Sequence, residues 1–239
     1  MPPHSPAPLA LAIVSAGTSD PSSTRLLTDR VAQKATSILD DQGMAVTTQV
    51  IELGPLAVDI AKAIVSGLRS HRLEQAIEVL AAADGVIAGT PVHTAGMSGL
   101  FKSFFDLLDN DLVIAKPTLL SMTGGTSRHA LVMEDQVRPM FAYLRALTTP
   151  TSIFAAPEDW SSPELGRRIS RAATELAALM ASRVGNTITD QAWSGYQHRF
   201  DGKAARAERG ADHVDFGTAL MRLAASGGLP PAQRDGTQT

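Results

Sequence analysis

Short apolar runs alternate with helical stripes along most of the chain. Leu9 to Val14 is apolar on both faces, as a central parallel strand must be. A polar stretch, Ser15 to Thr24, follows it. Leu27, Val31, Ala35 and Ile38 then recur at helical spacing and predict a helix with one buried face. Gly43 stops that helix, and Val46 to Leu53 reads as the second strand. Residues 54–70 allow a short helix around Ile60 to Val65, while Leu73, Ala76, Ile77 and Leu80 mark a clearer one. Asp84 to Gly89 is a third strand, followed by a loop from Thr90 to Met97. Leu100, Phe101, Phe104, Phe105 and Leu108 form a strongly apolar helical stripe, and Pro117 to Met122 is a fourth strand. Val137, Met140, Phe141, Leu144 and Leu147 predict a helix that Pro139 either opens or kinks. Thr151 to Ala155 is the fifth strand. Ser161-Ser-Pro-Glu164 then caps a last long helix through Leu165, Ile169, Ala173, Leu176 and Met180.

Five strands alternating with helices predict an α/β fold, a doubly wound five-stranded parallel sheet with helices on both faces. The two ends differ from this texture. Residues 1–8 hold Pro2, Pro3, Pro6 and Pro8 and read as a disordered lead-in. Residues 184–239 are rich in polar residues, with isolated aromatics at Trp193, Tyr196 and Phe200. They read as a partly disordered C-terminal arm with one amphipathic helix around Phe216, Leu220 and Leu223. The domain proper is expected over 9–183.

Composition narrows the chemistry. Hydrophobic residues at 44% and charged residues at 19% suffice to bury a core. Basic residues number 21 against 24 acidic, a net charge of -3, which argues against a nucleic-acid binder. The chain has no cysteine, so disulfides, iron–sulfur clusters and thiolate nucleophiles are excluded. No apolar run approaches the ~18 residues of a membrane span, and no Lys or Arg precedes Leu9 as in a secretory signal. The expectation is a cytoplasmic protein with no membrane association.

In an open parallel sheet, ligands sit beyond the carboxyl ends of the strands. Three segments rich in Gly, Ser and Thr follow strands here. The first runs from Ser15 to Arg25, with Thr18, Ser22, Ser23 and Thr24, and leads into a helix N-terminus that favours a phosphate. It has neither a Walker ending nor a Gly-x-Gly-x-x-Gly fingerprint. Read alone, Ser22 to Thr24 point first to helix capping and only second to a phosphate site. The second is Gly89-Thr-Pro-Val-His-Thr-Ala-Gly-Met-Ser-Gly99, where His93 is the one ionisable group and reads as a wall of the site. The third is Ser121-Met-Thr-Gly-Gly-Thr-Ser-Arg-His129, whose paired glycines either expose amides to a ligand or make a tight turn. Arg25 and Arg128 are the cations of these loops that could meet an anion, or simply sit at the surface. The remaining histidines are scattered, and no Gly-x-Ser-x-Gly elbow is present. Neither a metal site nor a catalytic acid, base or nucleophile is expected.

Taken in order, Ser15-x(6)-Ser22-x-Thr24, the run Thr90 to Lys102 and the run Thr123 to His129 resemble the NAD(P)H-dependent FMN reductases. These are flavodoxin-like enzymes that include the reductase components of two-component flavin monooxygenases. The resemblance covers residues 9–183 and extends to Arg138-Pro-Met-Phe-Ala-Tyr-Leu-Arg145. It implies strand order 2-1-3-4-5, with FMN at the carboxyl edge. Ser15, Ser22 and Thr24 would bind its phosphate, with Thr18 and Ser23 beside them. Thr90, Pro91, Val92 and His93 would line the isoalloxazine, and Thr123, Gly124 and Gly125 its far side. Many relatives carry Tyr where this chain has His93. The implied activity is hydride transfer from NAD(P)H to flavin N5, supplying reduced flavin to a monooxygenase partner from a homodimer or homotetramer. The alternatives are an FMN-retaining quinone, azo or metal-oxyanion reductase, or a non-enzymatic flavin carrier.

Overall fold

The computed structural model describes residues 7–193. Strands β1 (Leu9–Ser15), β2 (Val46–Glu52), β3 (Gly85–His93), β4 (Gly96–Met97), β5 (Pro117–Thr123), β6 (Leu147–Thr148) and β7 (Ile153–Ala155) form one sheet. Helices α1 (Ser23–Asp41), α2 (Ala57–Ser66), α3 (His71–Ala82), α4 (Gly99–Asp106), α5 (Arg138–Tyr143), α6 (Pro163–Ala181) and α7 (Val184–Ala192) surround it.

The order across the sheet is β2-β1-β3-β5-β6, with β7 also paired to β5. The expected strands are β1, β2, β3, β5 and β7, joined in parallel in the expected order. The sheet has seven strands, however, and its outer edge is shared. β6 pairs with the start of β5 at Pro117↔Leu147, and β7 with its end at Ser121↔Ile153. β4 folds back antiparallel onto β3. Two-residue strands carry no periodicity, which is why β4 and β6 leave no trace in the hydrophobic pattern.

Alternation along β1 sends its side chains into two cores. Leu9, Leu11 and Ile13 meet Leu27, Val31, Ala35 and Leu39 of α1 and Leu165, Ile169 and Leu176 of α6. Leu39, not Ile38, completes the α1 stripe; Ile38 is only partly buried. On the opposite face, Ala12 and Val14 join Ile60 of α2, Leu73 and Ile77 of α3, Phe101, Phe104 and Phe105 of α4 and Phe141 of α5. The rings of Phe101 and Phe105 are 4.8 Å apart, and those of Phe105 and Phe141 4.9 Å. This cluster anchors α4 and α5 behind β3.

Several expected boundaries are corrected. The helix expected over 137–147 is a π-helix, Met133–Val137, running into α5, with Pro139 in the first turn of α5. Pro139 thus opens a helix, as a residue with no N–H to donate can. Arg145, at φ 60, turns the chain out, so that Leu147 lies in β6 and not on the helix. Residues 54–56 form a 3₁₀ turn before α2, and β7 begins at Ile153, two residues later than expected. β3 continues to His93, so part of the expected Thr90–Met97 loop is a β-hairpin.

Beyond residue 183, α7 returns to the sheet. A Cβ on Gly185 would lie 2.6 Å from the Ala115 carbonyl oxygen, so only glycine permits this approach. Residues 1–6 of the lead-in expected over 1–8, and the amphipathic helix expected around Phe216, lie outside the described residues.

Candidate functional site

The carboxyl ends of β1, β3 and β5 lie side by side. Ser15 pairs with Gly89 and Gly89 with Ser121; two residues on, Pro91 pairs with Thr123. The three candidate loops leave the sheet here, and the hydrogen bonds show how they meet.

The first loop is closed by Ser22, whose Oγ accepts from the Arg25 amide at 3.2 Å and caps α1. A Cβ on Gly17 would lie 1.9 Å from Ser22 Oγ, so the loop folds onto itself only because residue 17 has no side chain. Thr18 and Ser23 are exposed, and Ser22 is half-buried. The first turn of any helix leaves amide groups without intrahelical acceptors. The hydroxyls of Thr18, Ser22 and Ser23 therefore surround an N-terminus with donors to offer. Ser15 is different. It is buried at the end of β1, and among the described residues its Oγ has no hydrogen-bond partner.

Thr24 faces inward, and its Oγ1 lies 2.7 Å from Thr123 Oγ1. This bond joins the first loop to the third. Gly89 lies beneath it, where a Cβ would come 2.4 Å from Thr28 Cγ2 and 3.3 Å from Thr24 Cγ2. The close packing of α1 on β3 therefore requires glycine at 89.

Arg25 is tied down. Its Nε donates to Asp29 at 2.8 and 2.9 Å, and its Nη1 to Glu52 at 2.6 Å. The hydrogen bond that Arg25 donates to Asp29 leads the causes that hold the guanidinium above its ordinary pKa. Of the two arginines considered for an anion, only Arg128 is exposed and outside an ion pair in the described structure.

In the second loop Thr90 is fully buried. Its Oγ1 donates to the Pro91 carbonyl at 3.0 Å and accepts from the Ser98 amide at 3.1 Å. Thr90 thus closes the base of the hairpin and does not face the open edge. Pro91 and Val92 are half-buried, and His93 is exposed. The hairpin pairs Val92 with Met97 and His93 with Gly96. Its turn residues Thr94 and Ala95 both adopt positive φ, 49 and 59°.

In the third loop the two glycines differ. The Gly124 amide donates to the Ala155 carbonyl at 3.1 Å, and a Cβ there would strike Phe154 at 2.8 Å. Gly125 is exposed, and among the described residues it has nothing near the place of a Cβ and its amide makes no hydrogen bond. The amide available to a ligand is that of Gly125.

Sequence reading missed two contributors. Gly54 abuts the first loop, the place of its Cβ lying 3.8 Å from the Gly17 carbonyl. Gln136, in the π-helix, donates through Nε2 to the Ala95 carbonyl and accepts at Oε1 from the Met97 amide, both at 3.3 Å. Neither residue carries a motif.

Elsewhere, an apolar groove of about 920 Å³ runs along α2, lined by Val58, Ala61, Val65 and Leu68. It shares no residue with the three loops. Among the described residues no group of three His, Asp or Glu could hold a metal ion, and no helix is long and apolar enough to cross a membrane.

Residues 9–161 match the family described as NADPH-dependent FMN reductase. The chain is 34% identical over 180 residues to an NADH-dependent FMN reductase, SfnE, of Pseudomonas putida, covering 73% of this chain and 94% of that protein. Among solved structures, an oxidoreductase from Corynebacterium diphtheriae is 40% identical with a TM-score of 0.71, covering 73% of this chain and 98% of that one. A WrbA-like flavodoxin from Agrobacterium tumefaciens, 17% identical with a TM-score of 0.52 over 74% of this chain and 99% of that one, shares the fold.

Proposed function

This chain belongs to the NADPH-dependent FMN reductase family, and from that premise we propose that its three joined loops hold FMN while it is reduced by NAD(P)H. The chain is an oxidoreductase that uses FMN and a reduced nicotinamide nucleotide. When bound, FMN supplies the redox chemistry, accepting a hydride at N5 and leaving two electrons for a later acceptor.

The observation that carries the reading is the hydrogen bond between Thr24 and Thr123, which brings a helix N-terminus and a Gly-Gly loop to one edge of the sheet. The residues fit the cofactor. Ser22, Ser23 and Thr18 surround the start of α1, where a phosphate gains from the helix dipole and free amides. The unpartnered buried Oγ of Ser15 lies at the strand end beneath this loop, one hydroxyl short of satisfaction. Pro91, Val92 and His93 form one wall for a flat ring, and Gly124 and Gly125 the other. The Gly125 amide is placed to stabilise negative charge growing on the ring's pyrimidine edge. Thr24, Thr90 and Thr123 hold these walls in place through bonds within the chain. No protein acid or base is needed, because the chain's work is orientation and exclusion of water.

Residues 9–183 form the FMN-binding domain, with 184–239 as an appended arm. The protein is cytoplasmic, acts as a homodimer or homotetramer, and passes reduced flavin to a flavin-dependent monooxygenase. The test is direct: titrate the purified protein with FMN, then follow NADPH and NADH oxidation at saturating flavin. Turnover with either nucleotide is expected, and failure with both would overturn the reading.

A further inference from the structure

We propose that Gln136 is a positioning residue that fixes the β3–β4 hairpin, and with it Val92 and His93, against the flavin ring. The inference rests on the FMN reading above and assigns a role to a side chain outside the three loops.

Three independent features converge on Gln136. The first is the hairpin's own weakness. Only two residue pairs close it, Val92↔Met97 and His93↔Gly96. Its turn residues, Thr94 and Ala95, are both left-handed, where a side chain is unfavourable and Gly or Asn is the usual choice. A hairpin so built needs support from outside.

The second feature is that Gln136 supplies this support at both sides of the turn. Its amide donates to the Ala95 carbonyl and accepts from the Met97 amide, each at 3.3 Å. These are backbone groups, so the clamp acts on the path of the chain and not on one rotamer. At the base of the hairpin, Thr90 Oγ1 and the Pro91 carbonyl both accept from the Ser98 amide, at 3.1 Å. Base and tip are thus held separately.

The third feature is Gly96. A Cβ there would lie 3.1 Å from Gln136 Oε1 and 3.8 Å from Nε2. Residue 96 has φ outside the left-handed range, so its backbone does not require glycine. A Cβ there would press on the Gln136 amide, which would have to give by a few tenths of an ångström and leave its two backbone partners.

The clamp has a fixed base. Gln136 sits in the π-helix between Glu134 and Arg138. Glu134 accepts from Arg138 Nε at 2.5 Å and from Ser152 Oγ at 2.6 Å. Arg138 Nη1 donates to Thr148 Oγ1 and to the Thr149 carbonyl, both at 3.0 Å. The segment that presents Gln136 is therefore anchored to β6 and to the residues between β6 and β7. Val92 and Met97 pack on the core shared by Phe101 and Phe141, so a shift of the hairpin is felt along the ring wall.

The test compares Gln136→Leu, which keeps the volume and removes both hydrogen bonds, with Gly96→Ala, which displaces the amide, and with the double variant. Each single variant is expected to raise KM for NADPH or lower kcat roughly three- to tenfold, the scale of one or two lost hydrogen bonds. FMN Kd should rise by less than the kinetic change and Tm should stay near wild type, because the phosphate loop is untouched and Val92 and Met97 are only partly buried against the core. The double variant should be no worse than the worse single one, since both act on one contact. Kinetics unchanged in Gln136→Leu would overturn the inference. So would a parallel fall of Tm, FMN affinity and rate, or full additivity in the double variant. Wild-type protein that neither binds FMN nor oxidises NAD(P)H would instead remove the flavin reading itself.

Discussion

Thr24 Oγ1 and Thr123 Oγ1 stand 2.7 Å apart in the interior, although 99 residues separate them in the chain. Both lie on the face of the sheet that α1 covers, one at the start of the helix and one at the end of β5. Each hydroxyl satisfies the other where water does not reach. The pair thereby sets the distance between the phosphate-type loop and the Gly-Gly loop. Thr24→Val keeps the shape and leaves Thr123 unpaired. It is expected to cost about 1–3 kcal/mol of stability and to weaken FMN binding by loosening the spacing of the loops. Urea unfolding and FMN titration of the same variant check both effects. The matched Thr24→Val/Thr123→Val pair, with no orphaned hydroxyl, should recover much of the stability.

Gly89 stands directly under that bond. A Cβ there would come 2.4 Å from Thr28 Cγ2, a β-branched side chain that is fully buried and cannot swing away. Gly89→Ala is expected to destabilise by about 1–3 kcal/mol through overpacking of α1 on β3. Gly85 makes the control. Its added methyl would meet the flexible end of Met180, at 2.5 Å from Sδ, and that side chain can yield. Thermal unfolding should therefore place Gly89→Ala well below Gly85→Ala.

What the hydrophobic pattern revealed, and what it did not, follows from the size of each signal. β1, α1 and α6 were legible because long apolar runs and stripes such as Leu27, Val31 and Ala35 admit one reading. The three loops were legible because Gly, Ser and Thr cluster after strands. The hairpin within the second loop was not, since Thr94 and Ala95 carry positive φ without the Gly or Asn that announces such a turn. Gln136 was illegible because its partners are backbone groups about forty residues away. α7 was missed because Asn186, Thr187, Thr189 and Asp190 give a polar texture, and only Gly185 hints at the close approach to Ala115. Thr90 shows a subtler gap: its place in the loop was readable, but not that its hydroxyl would turn inward.

Lys116 gives a pH prediction. Its Nζ donates to the carbonyls of Ala81 and Ala83 at the end of α3, at 2.8 and 2.5 Å. Burial lowers its pKa from 10.5 to about 8, against the pull of the Asp84 charge upward. The folded value lies below the unfolded one, so between these pH values the unfolded chain binds more protons and stability rises with pH. The cost of the buried charge is fully present below about pH 8 and is relieved as pH approaches 10.5. It amounts to roughly 3 kcal/mol at most. Lys116→Met removes this dependence. Urea unfolding near neutral pH and in mild alkali should show wild type gaining on Lys116→Met as pH rises, since all other titrating groups are common to both.

Ser22 separates the helix from the ligand. Its Oγ caps α1 through the Arg25 amide, so Ser22→Ala loses a cap, worth ~1 kcal/mol, together with any bond to phosphate. Ser22→Gly loses the same hydroxyl, but glycine serves as an N-cap at a cost of only a few tenths of a kcal/mol. A purely structural Ser22 therefore predicts a fall in Tm for Ala, little for Gly, and unchanged FMN affinity in both. A phosphate-binding Ser22 predicts FMN Kd raised by a similar factor in both, about 1–3 kcal/mol for a bond to a charged group. Riboflavin has no phosphate, so its affinity should be nearly the same in wild type and in both variants. The difference between FMN and riboflavin, compared across Ser22→Ala and Ser22→Gly by titration, isolates the contact. If both variants bind FMN as wild type does, Ser22 serves only as the cap of α1 and does not contact the phosphate.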